Sequence, residues 1–406
     1  MKIAVIGAGA SGIMAALMAA RSQNHEIVLF ERNERVGRKL LVTGSGRCNV
    51  TNSGVSAERY ACDDKAWMKR FLDLWGVGEL EEVLRKLGLP LKATDDGWYY
   101  PLSESAHAVV SILEHRLRLA GVKLRVATTV KEIKAQANGE EKFEVAWQSA
   151  DGLFRERFDR VALAAGGKAY PDLGSKGELF DALGALGHQI RPLIPALGPV
   201  YVKLGDFAAL KGQRFDARVA IYSQERCLGQ AEGNVIVTER GFNGPGVMDL
   251  SHLVGLHAKE ALTLAVTFPF LQSKTFHELA GLTGQNLGSL LAGWLPPKIA
   301  ERLIRRAGFS LAEPPGQESL KHLIAQSNLV FPITGTGDFS RSQVTVGGVP
   351  VGEVSAETFE SRLAPGLYLV GETLDAAGPC GGFNLHFAFG SGYLAGAHLA
   401  RLNQPY

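Results

Sequence analysis

The chain has 406 residues, 46% of them hydrophobic and 21% charged, enough for two or three domains at about 100–200 residues each and too apolar for disorder. Its 43 Lys and Arg nearly balance 41 Asp and Glu, so a formal charge of +2 supplies no field that favours nucleic acid or an acidic lipid surface. Cys48, Cys62, Cys227 and Cys380 stand far apart without a Cys-x-x-Cys or Cys/His spacing, which argues against a disulfide framework and a structural zinc site.

Residues 2–6 (KIAVI) are a short apolar run that predicts a strand, 10–21 a helix rich in Ala, Met and Leu, and Ile27–Phe30 a second strand. Three glycines interrupt this apolar start, so it reads as neither a cleaved signal nor a membrane span, and a soluble cytoplasmic protein is expected. Residues 35–54 are polar, glycine-rich and aperiodic, a long loop of the kind that is usually functional. Helices are expected over 65–88 and 103–120. Segments 122–135, 141–148 and 154–167 read as a three-stranded antiparallel excursion that returns to a buried strand at 160–165, and 177–189 as a short helix. From about 190, prolines punctuate the chain, and 200–270 alternates short strands with turns such as Asn243-Gly244-Pro245. Residues 275–326 turn helical, with Pro296-Pro297 placed where a helix can begin. The end, 366–396, is strand, glycine-rich loop and closing helix.

Gly7-Ala8-Gly9-Ala10-Ser11-Gly12 follows the first strand and opens the first helix, the context that gives G-x-G-x-x-G its meaning as a dinucleotide fingerprint. Gly7 allows the tight turn, Gly9 the approach of a pyrophosphate, and Gly12 close helix–strand packing; the helix N-terminus offers amides and positive dipole. Glu31, nineteen residues after Gly12 and followed by Arg32, ends the second strand. Its carboxylate suits ribose hydroxyls and repels a 2′-phosphate, so FAD or NAD is expected, not NADP. Instead of continuing into alternating strands and helices, the chain passes into the loop 37–54. There Gly44-Ser45-Gly46 can bring backbone against an extended ligand, and Arg38, Lys39 and Arg47 supply cations for pyrophosphate or reduced flavin.

GRKLLVTGSGRCNVTN, LAAGGKAYPDLGSKG at 163–177, VTVGGVPVGEV at 344–354 and GLYLVGETLDAAGPCGGFNLHFAFGSGYLAG at 366–396 resemble the BaiN-type, aminoacetone-oxidase-family bacterial flavoproteins, NAD(P)/FAD-dependent oxidoreductases. The resemblance spans nearly the whole chain. It departs at Ser45, Trp98, Cys380, Phe383 and His386, where the family often carries other residues, and these departures bear on the substrate. It implies an α/β fold: a Rossmann-like, glutathione-reductase-like FAD-binding domain from 1–190 and 346–406. A β-rich, barrel-like insert over 191–274, returning through 327–345, and a helical lobe over 275–326 complete it. It further implies that Gly7, Gly9, Ala10, Ser11 and Gly12 hold pyrophosphate and that Glu31 with Arg32 lies at the adenosine ribose. Lys39, Gly44, Ser45, Gly46 and Asn49 then hold the middle of the cofactor, and Val130 meets adenine through its backbone. Ala165, Gly166 and Gly167 let the chain return to the cofactor. Glu372, after Gly371, replaces the Asp that takes the ribityl chain in related enzymes, with Asp375 its competitor. Gly382, Phe383, Asn384 and Leu385 open a helix whose N-terminus favours the anion formed at the flavin on reduction.

No metal or Ser-His-Asp constellation emerges, and a flavin needs from the protein only positioning and a proton donor. His386, Tyr170 and Cys48 are the candidates, with Arg47 placed to lower the Cys48 pKa and Cys380 a conceivable redox partner for it. Met14 and Met18 are packing. No second G-x-G-x-x-G marks a nicotinamide domain, so the electron donor is NADH or NADPH bound transiently, or the substrate itself. The expected activity is FAD-dependent hydride transfer to a small enone or carbonyl compound, against an oxygen-using amine or alcohol oxidase, a flavin-dependent RNA-modifying enzyme or a non-enzymatic flavin protein. No nucleic acid, membrane or metal partner is expected.

Overall fold

The computed structural model describes residues 1–136 and 142–402. They form two units, Met1–Ile194 with Val344–Tyr406, and Pro195–Gln343. The first is built on a five-stranded parallel sheet of β1 (Lys2–Ile6), β2 (Glu26–Phe30), β3 (Lys123–Arg125), β4 (Arg160–Leu163) and β5 (Leu367–Leu369), in the order β5-β4-β1-β2-β3. At its centre Ala4 pairs with Val161 on one side and Val28 on the other. Residues Ile3 to Ile6 are all buried, which is why β1 reads as a continuous apolar run without alternation.

Helix α1 (Ala10–Ala19) is buried at every residue. It is covered partly by α2 (Phe383–Arg401), and glycines set how closely the two approach. A Cβ on Gly392 would fall 2.1 Å from the Ser11 carbonyl oxygen, and one on Gly396 would fall 2.4 Å from that of Ala15. Small residues in both helices therefore bring the last helix down onto the first.

Three local expectations are corrected. Residues 122–135 are two strands: Lys123–Arg125 extends the parallel sheet, and Thr129–Ala135 starts the antiparallel meander with Phe143–Ser149 and Gly152–Phe158. The break falls at Ala127, whose φ of 48° ends the extended run, a feature that alternation of side chains does not register. The helix over 65–88 is two, Lys65–Leu74 and Val77–Lys86; Glu79 accepts from the Gly76 amide at 3.0 Å and caps the second. Within the loop 35–54, Thr51–Asn52 forms a strand that pairs with Trp98–Pro101, which in turn pairs with Leu91–Ala93.

The second unit contains a closed six-stranded antiparallel barrel. Round it run Val200–Val202, Gly241–Asn243, Arg226–Val237, Arg214–Ser223, Leu262–Thr267 and Leu329–Thr336, and Val200 closes the ring by pairing with both Phe242 and Thr336. Four helices, Lys274–Ala280, Leu287–Ala292, Pro297–Arg306 and Gln317–Gln326, precede the closing strand. Pro245–Met248 and Ser251–Leu256 are short helices in a stretch whose pattern reads as strands and turns. Each unit has its own core, around Phe71, Trp75 and Phe359 in the first and around Phe207, Phe242 and Phe276 in the second. Among the described residues no helix is long and apolar enough to cross a membrane.

Candidate cofactor site

The phosphate turn lies between β1 and α1. The Gly7 amide donates to the Phe30 carbonyl at 2.8 Å; a Cβ on Gly7 would stand 2.4 Å from the Ala164 carbonyl oxygen and one on Gly12 1.8 Å from the Gly7 oxygen, so the protein itself demands both glycines. Gly9 is different: a Cβ there would meet nothing within 4 Å among the described residues. The turn is open at that residue, on the side where a ligand can approach. Helical bonding starts with the Ile13 amide on the Gly9 carbonyl at 3.0 Å, leaving Ala10, Ser11 and Gly12 amides without a partner inside the helix.

Glu31 is buried and more committed than its spacing suggests. One oxygen accepts from the Ala8 amide at 2.9 Å, and the other accepts from the Asn33 amide at 2.9 Å and side-chain amide at 2.6 Å. A carboxylate has about four acceptor positions, so one is left for a ribose hydroxyl. The Arg32 guanidinium pairs with Glu178, a partner its sequence position does not reveal. The Thr128 amide donates to the Glu31 carbonyl at 2.8 Å, which brings the segment leading into buried Val130 beside this end of the site.

A second cluster joins distant parts of the first unit. Lys39 Nζ donates to Glu372 Oε2 at 2.6 Å, and Glu372 Oε1 accepts from the Thr345 amide at 2.9 Å. Thr345 Oγ1 in turn accepts from the Lys168 and Ala169 amides at 2.8 and 3.1 Å. Gly167 is wedged against both, since a Cβ on it would lie 2.4 Å from Thr345 Oγ1 and 2.6 Å from Glu372 Oε1. Ala165 abuts the phosphate turn, its Cα 3.1 Å from the Cβ position of Gly7, and Gly166 has a φ of 74°. Asp375 is likewise occupied on both oxygens, by the Gly347 amide at 2.8 Å and by Arg191 at 3.1 Å, so occupancy within the fold does not separate the two ribityl candidates. The Gly371 amide donates to Ser391 Oγ at 2.9 Å, and Thr373 Oγ1 is buried with no partner among the described residues.

The third group surrounds the start of α2. Gly44, Ser45 and Gly46 are left-handed in succession, with φ of 55°, 57° and 84°. Next to them Asn49 is 5% exposed, yet neither end of its carboxamide has a hydrogen-bond partner among the described residues. Its Oδ1 lies 2.7 Å from the Cβ position of Gly382, the N-cap of α2. The His386 amide bonds to the Gly382 carbonyl at 2.9 Å, so the Phe383, Asn384 and Leu385 amides form the unbonded first turn. Their side chains serve the fold. Asn384 accepts from the Gly378 amide at 2.9 Å and donates to its carbonyl at 2.8 Å, while the Phe383 ring lies buried under the Arg59 guanidinium, 4.5 Å away. Leu385 packs against the core.

The proton-donor candidates fare unequally. His386 is buried, its Nε2 donates to the Trp75 carbonyl at 3.1 Å, and its Nδ1 therefore accepts from Thr51 Oγ1 at 2.8 Å. Burial pulls its pKa down to about 4, so it is a neutral fastener at pH 7. Burial pushes the Cys48 thiol up to about 11, against the lowering its neighbour suggests, because the Arg47 guanidinium lies over the Tyr100 ring. Neither Cys48 nor Cys380 is joined in a disulfide among the described residues. Tyr170 is half-buried with a left-handed φ of 57°, and burial raises its phenol. Among the described residues no group of three or more His, Cys, Asp or Glu is arranged to hold a metal.

Residues 1–398 match the HI0933-like protein Rossmann domain. The chain belongs to this family. It is 37% identical to the 3-dehydro-bile acid delta(4,6)-reductase of Clostridium scindens, over 97% of this chain and 98% of that protein. It is 26% identical to the ribosomal RNA dihydrouridine synthase of Escherichia coli, over 96% and 95% of the two chains. A 3-ketosteroid delta1-dehydrogenase from Sterolibacterium denitrificans shares the fold, with a TM-score of 0.55 at 12% identity over 98% and 99% of the chains. This HI0933-like protein is an FAD-dependent oxidoreductase, and the FAD-binding α/β plan expected of its sequence is the one it adopts. The structure fits that cofactor on its own terms, through the open face at Gly9, the partnerless Asn49 amide and the free first turns of α1 and α2.

Proposed function

We propose that this enzyme reduces a carbon–carbon double bond conjugated to a carbonyl group in a polycyclic substrate of the bile acid or steroid class, with NADH or NADPH as electron donor. The observation that carries this reading is the 37% identity to a bile acid delta(4,6)-reductase, maintained over essentially both whole chains. FAD, when bound, supplies the hydride chemistry. The chain's own residues supply binding and field. The α1 amides and the space at Gly9 receive the pyrophosphate, and the remaining acceptor position of Glu31 takes a ribose hydroxyl. The Lys39–Glu372–Thr345 chain holds the middle of the site rigid. The first turn of α2 places positive dipole beside Asn49, which favours uptake of electrons there. His386, both of whose nitrogens are engaged within the fold, serves as a fastener in this reading and leaves proton donation to another group.

A second reading has its own support: identities of 25–26% over nearly the full length to ribosomal RNA dihydrouridine synthases. Uridine also carries a double bond conjugated to a carbonyl, so the two readings share a reaction and differ in substrate. Anaerobic titration of the FAD-loaded protein with NADH, then NADPH, tests both while the oxidised-flavin absorbance is followed. Bleaching by a nicotinamide, followed by recovery on adding a 3-oxo steroid with a conjugated double bond, is expected. Recovery with protein-free ribosomal RNA alone would move the substrate to RNA. A flavin bleached only by an amine or alcohol would overturn the reductase reading in favour of an oxidase.

A further inference from the structure

We infer that Asn49 grips the polar edge of the flavin ring, its carboxamide pairing with the N3–H donor and an adjoining carbonyl acceptor. The inference rests on the FAD reading and adds to it a specific point of contact. Asn49 is 5% exposed, and both Oδ1 and Nδ2 lack partners among the described residues. Buried amides are nearly always paired, and leaving a buried polar group unpaired is costly, so a fold that keeps both ends of one amide unpaired is holding them for something else. The kind of partner follows from which ends are open. Whatever fills the site must accept from Nδ2 and donate to Oδ1 within the width of one carboxamide. A phosphate at neutral pH presents acceptors with no donor to match Oδ1. The pyrimidine portion of an isoalloxazine presents a donor flanked by two acceptors in one rigid plane, the complement of a carboxamide.

Position agrees with chemistry. The Asn49 oxygen lies 2.7 Å from where a Cβ on Gly382 would stand, so any other residue there would displace the amide from the turn that opens α2. The Asn49 backbone nitrogen lies 2.8 Å from the Cβ position of Gly44, which ties the same residue to the left-handed Gly44–Gly46 turn. The first-turn amides of α2 stand beside it as donors for the ring's remaining carbonyl. Asn49 thereby moves from the middle of the cofactor, where the family resemblance puts it, to the ring.

The test compares FAD with 3-methyl-FAD, which carries a methyl group in place of the N3 hydrogen, on wild-type protein and on Asn49→Leu. Each flavin is titrated into the full-length chain stripped of FAD, and binding is read from flavin fluorescence alongside the melting temperature of the stripped chain. Wild type is expected to bind 3-methyl-FAD roughly ten- to hundredfold less tightly than FAD. Asn49→Leu is expected to bind FAD weaker by a similar factor and to bind the two flavins alike. The stripped variant should melt no lower than stripped wild type, because the unpaired amide is gone. A variant that still discriminates between the flavins, or that binds FAD as wild type does, overturns the assignment. Where Asn49→Leu does not fold, Asn49→Ser removes the planar donor–acceptor pair with less apolar bulk and is read by the same two outcomes. Wild-type protein that binds neither flavin overturns the FAD reading underneath.

Discussion

Gly9 separates two uses of glycine that the fingerprint writes with the same letter. At Gly12 a side chain would collide with the Gly7 carbonyl, so Gly12→Val strikes the fold. At Gly9 a side chain would meet no protein atom within 4 Å, and the backbone is extended, with φ −82° and ψ −168°, so Gly9→Val can be built without strain. Only the ligand is displaced. The expected result is a stripped protein with wild-type melting temperature whose FAD affinity falls roughly ten- to hundredfold, as overpacking of about 1–3 kcal/mol predicts. Calorimetric FAD titration beside a thermal melt checks it; a variant that loses stability but keeps FAD would show that Gly9 serves packing.

At the scale of elements, His386 joins α2 to the Thr51–Asn52 strand through Thr51 and to the end of the Lys65–Leu74 helix through the Trp75 carbonyl. Its folded pKa, lowered by burial to about 4 from 6.5, gives this junction a pH dependence of known sign. Above pH 6.5 both states hold the ring neutral and the contribution is complete. As pH falls below that, the unfolded chain takes up a proton that the folded chain refuses, and stability is lost until pH 4, about 2 kcal/mol of it by pH 5. The advantage of wild type over His386→Gln in urea unfolding should therefore shrink by about that amount between pH 7.5 and pH 5; an unchanged gap would mean that the ring titrates normally. This junction also shows what a sequence can disclose. Short apolar strands, the glycine turn and the glycine-rich helix start impose local demands on residue type, so β1, α1 and the opening of α2 are legible one after another. Thr345 is not legible in its role, because the amides it binds lie 177 and 176 residues away, and a threonine in a glycine-rich run carries no mark of that. The same holds for Glu31 and Arg32, whose spacing is visible but whose partners Ala8, Asn33 and Glu178 are not all near in the chain. Tyr170 is visible as a phenol after a glycine pair, while its left-handed backbone is not.

At the scale of the whole molecule, the chain supports two cores with no shared buried member: one drawn from residues before 194 and after 344, the other wholly from 200–331. Every residue placed at the cofactor belongs to the first. The chain leaves that unit through Arg191–Ala196 and comes back through Val344–Gly348, and these strands are paired, with the Pro192 carbonyl 2.1 Å from the Cβ position of Gly347. The exit and return therefore lie side by side, and loop-closure entropy for a short bridge between Ile194 and Val344 is small. Replacing residues 195–343 by a flexible link of about four residues should leave a folded yellow protein that holds FAD within about tenfold of the intact chain, because neither its sheet, its α1–α2 pairing nor its three site clusters draws on the deleted residues. The measurement is flavin content after purification, together with a cooperative thermal transition. A colourless or unfolded product would show that the cofactor unit depends on the barrel for stability, in spite of the separation of the two cores.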